Sequence, residues 1–273
     1  MTTTTERVLP ESDVESFWDR GYLRVKQVFT PGETAELRAE LDRLISEWAN
    51  PDSAWTGPWR KKYMDEKTER SGKFAGMHDL QFYSSAWARA ISNPRLVQVL
   101  VDLLGPDVEH HHTTMHVKVP ETGMPFPMHQ DHPFYKHDDG RYIDVLVHLD
   151  DTNSHNGEIR FLEGSHRDGP LQHITETDEG PCSPHLPTDE YRLADTVAVP
   201  AEAGDVVLMT INTVHGSDIN RSSEPRRLVR MGYRHPHNRQ TDGQSMGRPG
   251  LIVAGHRDRR EGDQAYSTAG PTG

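Results

Sequence analysis

The apolar positions follow two different rhythms along the chain. Up to about residue 104 they recur at helical spacing. Leu37, Leu41, Leu44 and Ile45 share one helical face, and Thr30, Pro31 and Glu33 ahead of them supply an N-cap, a proline at N1 and an acid at N3. Asn93-Pro94 opens another helix, apolar at Leu96, Val97, Leu100, Leu103 and Leu104, and Gly105-Pro106 stops it. Ser12 with Glu15 fits a capping box for a short helix through Trp18, and 22–25 reads as a short strand. From residue 107 the period becomes two. Strands are expected over 108–119, 142–149, 158–162, 195–199, 205–212 and 226–235, with turns at Asn156-Gly157, Glu163-Gly164-Ser165 and Ala203-Gly204-Asp205. Helices precede strands without βαβ alternation, which predicts a helical flank on an antiparallel β sandwich or barrel. Residues 50–83 keep no steady period and carry Trp55, Trp59, Arg60, Lys61, Lys62, Tyr63 and Phe82. Such a stretch reads either as a lid over a site or as a packed surface excursion. No repeat or linker interrupts the pattern, so 1–273 is read as one domain with an ordered core over about 10–260 and frayed ends.

Composition narrows the function classes. Lys+Arg 30 against Asp+Glu 42 gives a net charge of -12, which disfavours nucleic-acid or anionic-membrane partners. No apolar run approaches the roughly 18 residues of a membrane span. The opening Met1-Thr2-Thr3-Thr4-Thr5-Glu6 lacks a secretory signal's basic and apolar parts, and a cytoplasmic protein is expected. Cys182 is the sole cysteine, so no intrachain disulfide can form, and its neighbours Pro181, Ser183 and Pro184 include no activating base. The outlier is histidine, 17 in 273 residues, which turns attention to metal chemistry.

His-X-Asp occurs at His129/Asp131, His137/Asp139, His148/Asp150, His166/Asp168 and His256/Asp258. Chance alone supplies about one or two such pairs, so context must choose. A two-His-one-carboxylate iron site needs three ligands on one side of the metal, with the other positions open. Residues i and i+2 of a strand share a face, so His-X-Asp can give two of them. His129 and Asp131 stand where a strand meets a loop, and His215 follows the most apolar strand, 206–211. His166/Asp168 and His256/Asp258 sit among arginines and turn residues, leaving His148/Asp150 as the internal rival. Alternation puts His110, His112, Thr114, His116 and Lys118 on one face of their strand. It likewise groups Tyr142, Asp144, Leu146 and His148, and puts Leu228 and Arg230 beside Arg226.

Several segments together resemble phytanoyl-CoA dioxygenase-type enzymes: Met128-His129-Gln130-Asp131, Asn156-Gly157-Glu158-Ile159, Glu163-Gly164-Ser165-His166, and His215-Gly216-Ser217 through Pro225-Arg226-Arg227. Gly21-Tyr22-Leu23-Arg24-Val25 and the helix after Thr30-Pro31 are similar to that family's opening, and the likeness spans roughly 12–236. The resemblance implies a mainly β fold, a double-stranded β-helix or jelly roll over about 107–236 with flanking N-terminal helices. It implies an Fe(II)/2-oxoglutarate-dependent oxygenase using O2. His129, Asp131 and His215 would ligate iron. Arg226 would hold the distal carboxylate of 2-oxoglutarate, assisted by Ser217, with Gln130 and His116 near the co-substrate. Related halogenases replace the acidic ligand by a small residue, so Asp131 implies hydroxylation or another oxidation rather than halogenation. The pocket would be lined by His110, His112, Thr114, Tyr142, Leu146, His148, Arg230 and Trp59. Arg230 could meet an anionic group of a small-molecule substrate or salt-bridge to an acid. The 50–83 segment, with its basic run, is expected to act as a cover. A monomer or homodimer is expected. Competing readings are a jelly-roll binding protein without turnover and a zinc or manganese enzyme on the same triad.

Overall fold

The computed structural model describes residues 7–48, 55–71, 74–248 and 250–258. The expected frayed ends and residues 50–54, 72 and 73 of the irregular segment fall largely or wholly outside those residues. The helices are α1 Glu11–Arg20, α2 Pro31–Glu47, α3 Arg60–Tyr63, α4 Glu66–Ser71, α5 Ser85–Ala90 and α6 Pro94–Leu104. Thr30 caps α2 through a capping box with Glu33, and Asn93 caps α6 by accepting from Arg95 and Leu96 amides. The reading of α1 needs correction. It starts at Glu11 behind an extended Pro10 with no side-chain cap, so Ser12 is already inside the helix. Ser84 caps α5, which the sequence reading passed over because it has only six residues.

In chain order the strands begin with β1 Tyr22–Val25, β2 Phe74–His78, β3 Val108–Lys118, β4 Phe126–His129, β5 Tyr135–His137, β6 Tyr142–His148, β7 Ile159–Phe161 and β8 Ile174–Thr177. They continue with β9 Gly180–His185, β10 Val197–Val199, β11 Val206–Thr210, β12 His215–Ser217, β13 Arg226–Arg234, β14 Gln240–Gly243 and β15 Leu251–Ala254. The larger sheet runs β1-β11-β6-β13-β3-β15, with β2 also on β3, and the smaller runs β10-β7-β12-β4. All named pairings are antiparallel. This is the double-stranded β-helix. β2 lies in the stretch read as irregular, so that stretch is part helix and part sheet edge.

Two apolar layers hold the sheets. Leu37, Leu41 and Leu44 of α2 and Leu96, Leu100 and Leu103 of α6 pack on Val145, Val147, Val229 and Met231 of the larger sheet. Each such side chain contributes roughly 1.5–3 kcal/mol when fully buried. The other face of that sheet presents Leu146, Met209 and Leu228 to Phe161 and Val199 of the smaller sheet. Polar residues of β3, β6 and β13 also point into this inter-sheet space, and there the site forms.

One irregularity redirects a side chain. β13 pairs Gly232 with His112 but Tyr233 with His110, so β3 carries an extra residue at His111. The bulge breaks the alternation. His111 joins His112 on the inner side, bonded to Tyr142 at 2.9 Å, while His110 packs edge-on against Tyr233 of the helical core. The placement of His110 in the pocket is therefore corrected.

Candidate active site

Antiparallel pairing of β12 with β4 sets His215 directly opposite His129. Asp131 follows two residues past the end of β4. Among the described residues these three form the group whose donor atoms lie within 4.8 Å of one another. His129 Nε2 is 3.6 Å and His215 Nε2 is 3.9 Å from the same Asp131 oxygen, Oδ1. Each imidazole Nδ1 lies against a backbone carbonyl, His129 on Pro127 at 2.7 Å and His215 on Thr213 at 3.0 Å. A proton held at Nδ1 leaves the Nε2 lone pair for a metal. Burial pushes His215 down to about 3, with the neighbouring His129 adding to the effect, so it is neutral near pH 7. Burial alone would raise Asp131, but Arg230 together with His129 and His215 outweighs it, and the carboxyl is held well below its usual range. These are the protonation states an Fe(II) site with two histidines and a carboxylate requires, so the residues fit the metal.

Arg230 fixes the carboxylate. Its Nη1 donates to Asp131 Oδ2 at 2.8 Å, leaving Oδ1 turned to the histidines. Its other contacts are Tyr135 Oη, His112 Nε2 at 3.0 Å and Thr114 Oγ1 at 3.4 Å. Asp144 stands 3.8 Å from its Nε and accepts from Tyr135 at 2.9 Å. Of the two roles open to Arg230, the structure shows the ion pair.

A cavity with about 400 Å³ of empty space opens beside the triad. His129, Asp131, His215, His116, Ser217, Arg226 and Arg230 line one part, and Phe126, Leu146, Ile159, Met209 and Leu228 the rest. Ser217 Oγ and Arg226 Nε are buried there without hydrogen-bond partners. Burial lowers Arg226 to about 10, with Asp150 the acid opposing the shift. A buried guanidinium and hydroxyl lacking partners fit a carboxylate ligand, because leaving such groups unpaired is costly. Lys118, paired across the ladder with Arg226, is fully buried, bonds the Asp218 carbonyl and lies over the Phe126 ring, and burial with the neighbouring Arg226 pushes its pKa well below the usual lysine range.

Other expected site residues fall elsewhere. Gln130 points away from the cavity: its amide donates to Gly169 and Asn212 carbonyls at 2.8 and 2.7 Å and accepts from Leu171 at 2.7 Å. Alternation explains this, since its neighbours His129 and Asp131 face in. His112, Thr114 and Tyr142 lie behind the cavity, in the network around Arg230. Tyr142 reaches His112 at 3.4 Å, and Thr114 also contacts His78 at 3.1 Å. His148 is buried on the inner side with Nδ1 at 3.1 Å from the Leu146 carbonyl. Its rival pairing fails because Asp150 accepts from Arg227 and forms an ion pair with Arg38 instead.

Trp59 packs with Met124, Phe126, Trp55 and Tyr63, its Nε1 on the Thr56 carbonyl at 3.1 Å. The aromatic over the triad is Trp55, whose ring centroid is 4.5 Å from that of His129. Lys61 and Lys62 face Glu179 and Asp189 on the surface, and Arg60 bonds the Trp55 and Glu69 carbonyls. The basic run therefore does not line the cavity. Phe126 and Met209 were missed because each lies on a strand buried along its whole length, where alternation carries no signal.

The model of the phytanoyl-CoA dioxygenase family matches residues 17–228. The chain belongs to that family. Among this member's relatives, ectoine dioxygenase of Bordetella parapertussis is 27% identical over 248 residues, covering 84% of this chain and 77% of that protein. A probable alpha-ketoglutarate-dependent hypophosphite dioxygenase of Stutzerimonas stutzeri is 25% identical over 225 residues, covering 80% and 76%. Among solved structures, the non-heme alpha-ketoglutarate-dependent carbocyclase SnoK from nogalamycin biosynthesis shares the fold. Its TM-score is 0.70 at 20% identity, over 91% of this chain and 95% of that one. EctD from S. alaskensis with 2-oxoglutarate and 5-hydroxyectoine gives a TM-score of 0.67 at 22% identity, over 94% and 87%. No helix among the described residues is long and apolar enough to cross a membrane.

Proposed function

We propose that the protein is an Fe(II)/2-oxoglutarate-dependent hydroxylase acting on an unactivated C–H bond of a small metabolite. In the overall reaction the substrate gains one oxygen atom of O2, and 2-oxoglutarate takes the other as it becomes succinate and CO2. The observation that carries this reading is the coexistence, in one cavity, of a two-histidine, one-carboxylate triad and an Arg226–Ser217 pair with unpartnered buried atoms. A hydrolytic metal enzyme has no need of the second feature.

Bound iron would supply the oxidising chemistry. His129, Asp131 and His215 would hold it, and Arg230 would keep Asp131 a one-oxygen ligand by engaging the other oxygen. Arg226 and Ser217 would orient the co-substrate through its distal carboxylate. His116, neutral because burial and then Arg230 depress its pKa, would border the co-substrate without adding charge. Trp55, Phe126 and Leu228 would exclude water from the reacting centre.

The reading also bears on the substrate. Ectoine and hypophosphite, in the names of two relatives, differ widely, so the family name does not fix it. The wall left for substrate is apolar, formed by Leu146, Ile159 and Met209, and favours a compact molecule presenting a hydrocarbon face. An anionic substrate loses its main support, because Arg230 is paired and Lys61 and Lys62 face outward. The test is succinate release from protein, Fe(II), 2-oxoglutarate and O2 across a panel of small metabolites. A substrate that raises succinate release at least tenfold, with matching oxygenated product, is expected. Activity that persists without 2-oxoglutarate would contradict the reading.

A further inference from the structure

A second cavity lies at the far end of β3 and β13, beyond the bulge. It holds about 870 Å³ of empty space and opens to solvent. Arg234, Arg239, Arg248 and Arg257 line it, with Glu109. In a chain of net charge -12 this concentration of arginine runs against the average. Glu109 is almost fully buried and bridges two of the guanidiniums: Arg234 at 2.7 and 3.1 Å, and Arg257 through Nε at 3.1 Å. Arg248 pairs with Asp79. Arg239 is exposed, and its guanidinium meets no acceptor among the described residues. Four guanidiniums therefore face two carboxylates, leaving two positive charges in the lining.

We propose that this cavity binds a small multivalent oxyanion, one bearing phosphate or carboxylate groups, at a site separate from the co-substrate. Planar guanidiniums suit such ligands because each can give two parallel hydrogen bonds. The Glu109 bridge holds Arg234 and Arg257 in fixed orientations, which lowers the ordering cost on binding. Tyr135, Tyr142 and His112, all fully buried, separate this cavity from the triad. A hydrogen-bonded chain nevertheless joins the two. Gln240, on the cavity wall, meets His111 at 2.9 Å, His111 meets His112 at 2.9 Å, and His112 meets Arg230 at 3.0 Å.

The test uses metal-free, full-length protein, titrated by calorimetry and thermal shift with pyrophosphate and with citrate at constant ionic strength. At least one should bind with a submillimolar Kd and raise the melting temperature, and the preference between them identifies the anion class. The double substitution Arg239→Gln/Arg257→Gln should weaken that binding at least tenfold, whereas Arg226→Ala should leave it within twofold. Arg192→Gln, outside the cavity, serves as the control for general charge loss. Should the double variant fold poorly, Arg239→Gln alone, which breaks no contact, should still weaken binding several-fold. The proposal is overturned if neither anion binds the wild-type protein, if the arginine variants bind as tightly as wild type, or if the loss follows Arg226→Ala instead.

Discussion

Arg226 and Arg227 are neighbours on β13 with opposite surroundings. Arg227 turns to the helical side and pairs with Asp42 at 2.7 Å and Asp150 at 3.2 Å. Arg226 turns inward, where its Nε has no partner. Arg226→Ala should therefore weaken 2-oxoglutarate binding by roughly 2–5 kcal/mol, or about 30- to several-thousand-fold. Arg227→Ala should leave that affinity within about twofold. Isothermal titration of the anaerobic iron-loaded proteins compares them, and equal losses would contradict the face assignment. His110 carries a different prediction. Burial pushes its pKa down to about 3, against about 6.5 in the unfolded chain. As the pH falls below about 6.5 the unfolded chain takes up the proton first, so the stability His110 contributes is full above that value and is lost progressively toward pH 3. Melting temperature against pH should therefore fall on the acid side, and His110→Phe should flatten that limb. The sequence shows that His110 belongs to a histidine run but not which way it points, because a single inserted residue reverses the face.

At the scale of elements, legibility followed length and pattern. α2 and α6 announce themselves by caps and apolar spacing, and β3, β6, β11 and β13 by composition. β12, only His215-Gly216-Ser217, has no hydrophobic signal, and its place is set by pairing with β4 and β7. Its role was legible only through the motif around His215. β2 escaped notice because Gly76 interrupts its alternation and it depends on β3 for its pairing. β13 contains a position that sequence pattern undervalues. Gly232 lies opposite Asp144 and His112, and a Cβ there would collide with the Tyr142 hydroxyl. Gly232→Ala should cost roughly 1–3 kcal/mol of stability. Chemical denaturation measures this, and Gly232→Ala combined with Tyr142→Phe should recover part of the loss. A Gly232→Ala protein as stable as wild type would show that the strands adjust without strain.

For the molecule as a whole, the two sheets bring together residues that the chain separates by 84 positions, from Asp131 to His215, and by a further 11 to Arg226. Those spacings made the triad and the co-substrate anchor readable, because a metal and a dicarboxylate each demand a small set of side-chain types. The substrate wall was less readable, since apolar residues such as Ile159 and Met209 serve core and pocket alike. The same chemistry supplies the most direct check of the central claim, that one cavity holds iron on His129, Asp131 and His215 and 2-oxoglutarate on Arg226. Anaerobic protein is titrated with Fe(II) and then 2-oxoglutarate while the visible spectrum is followed. Wild type should develop a weak charge-transfer band that saturates at one equivalent of iron. His215→Ala should lose the band, and Arg226→Ala should need at least 30-fold more 2-oxoglutarate to reach it. A wild-type protein that binds Fe(II) but shows no 2-oxoglutarate-dependent band, or a His215→Ala protein that retains it in full, would contradict the account.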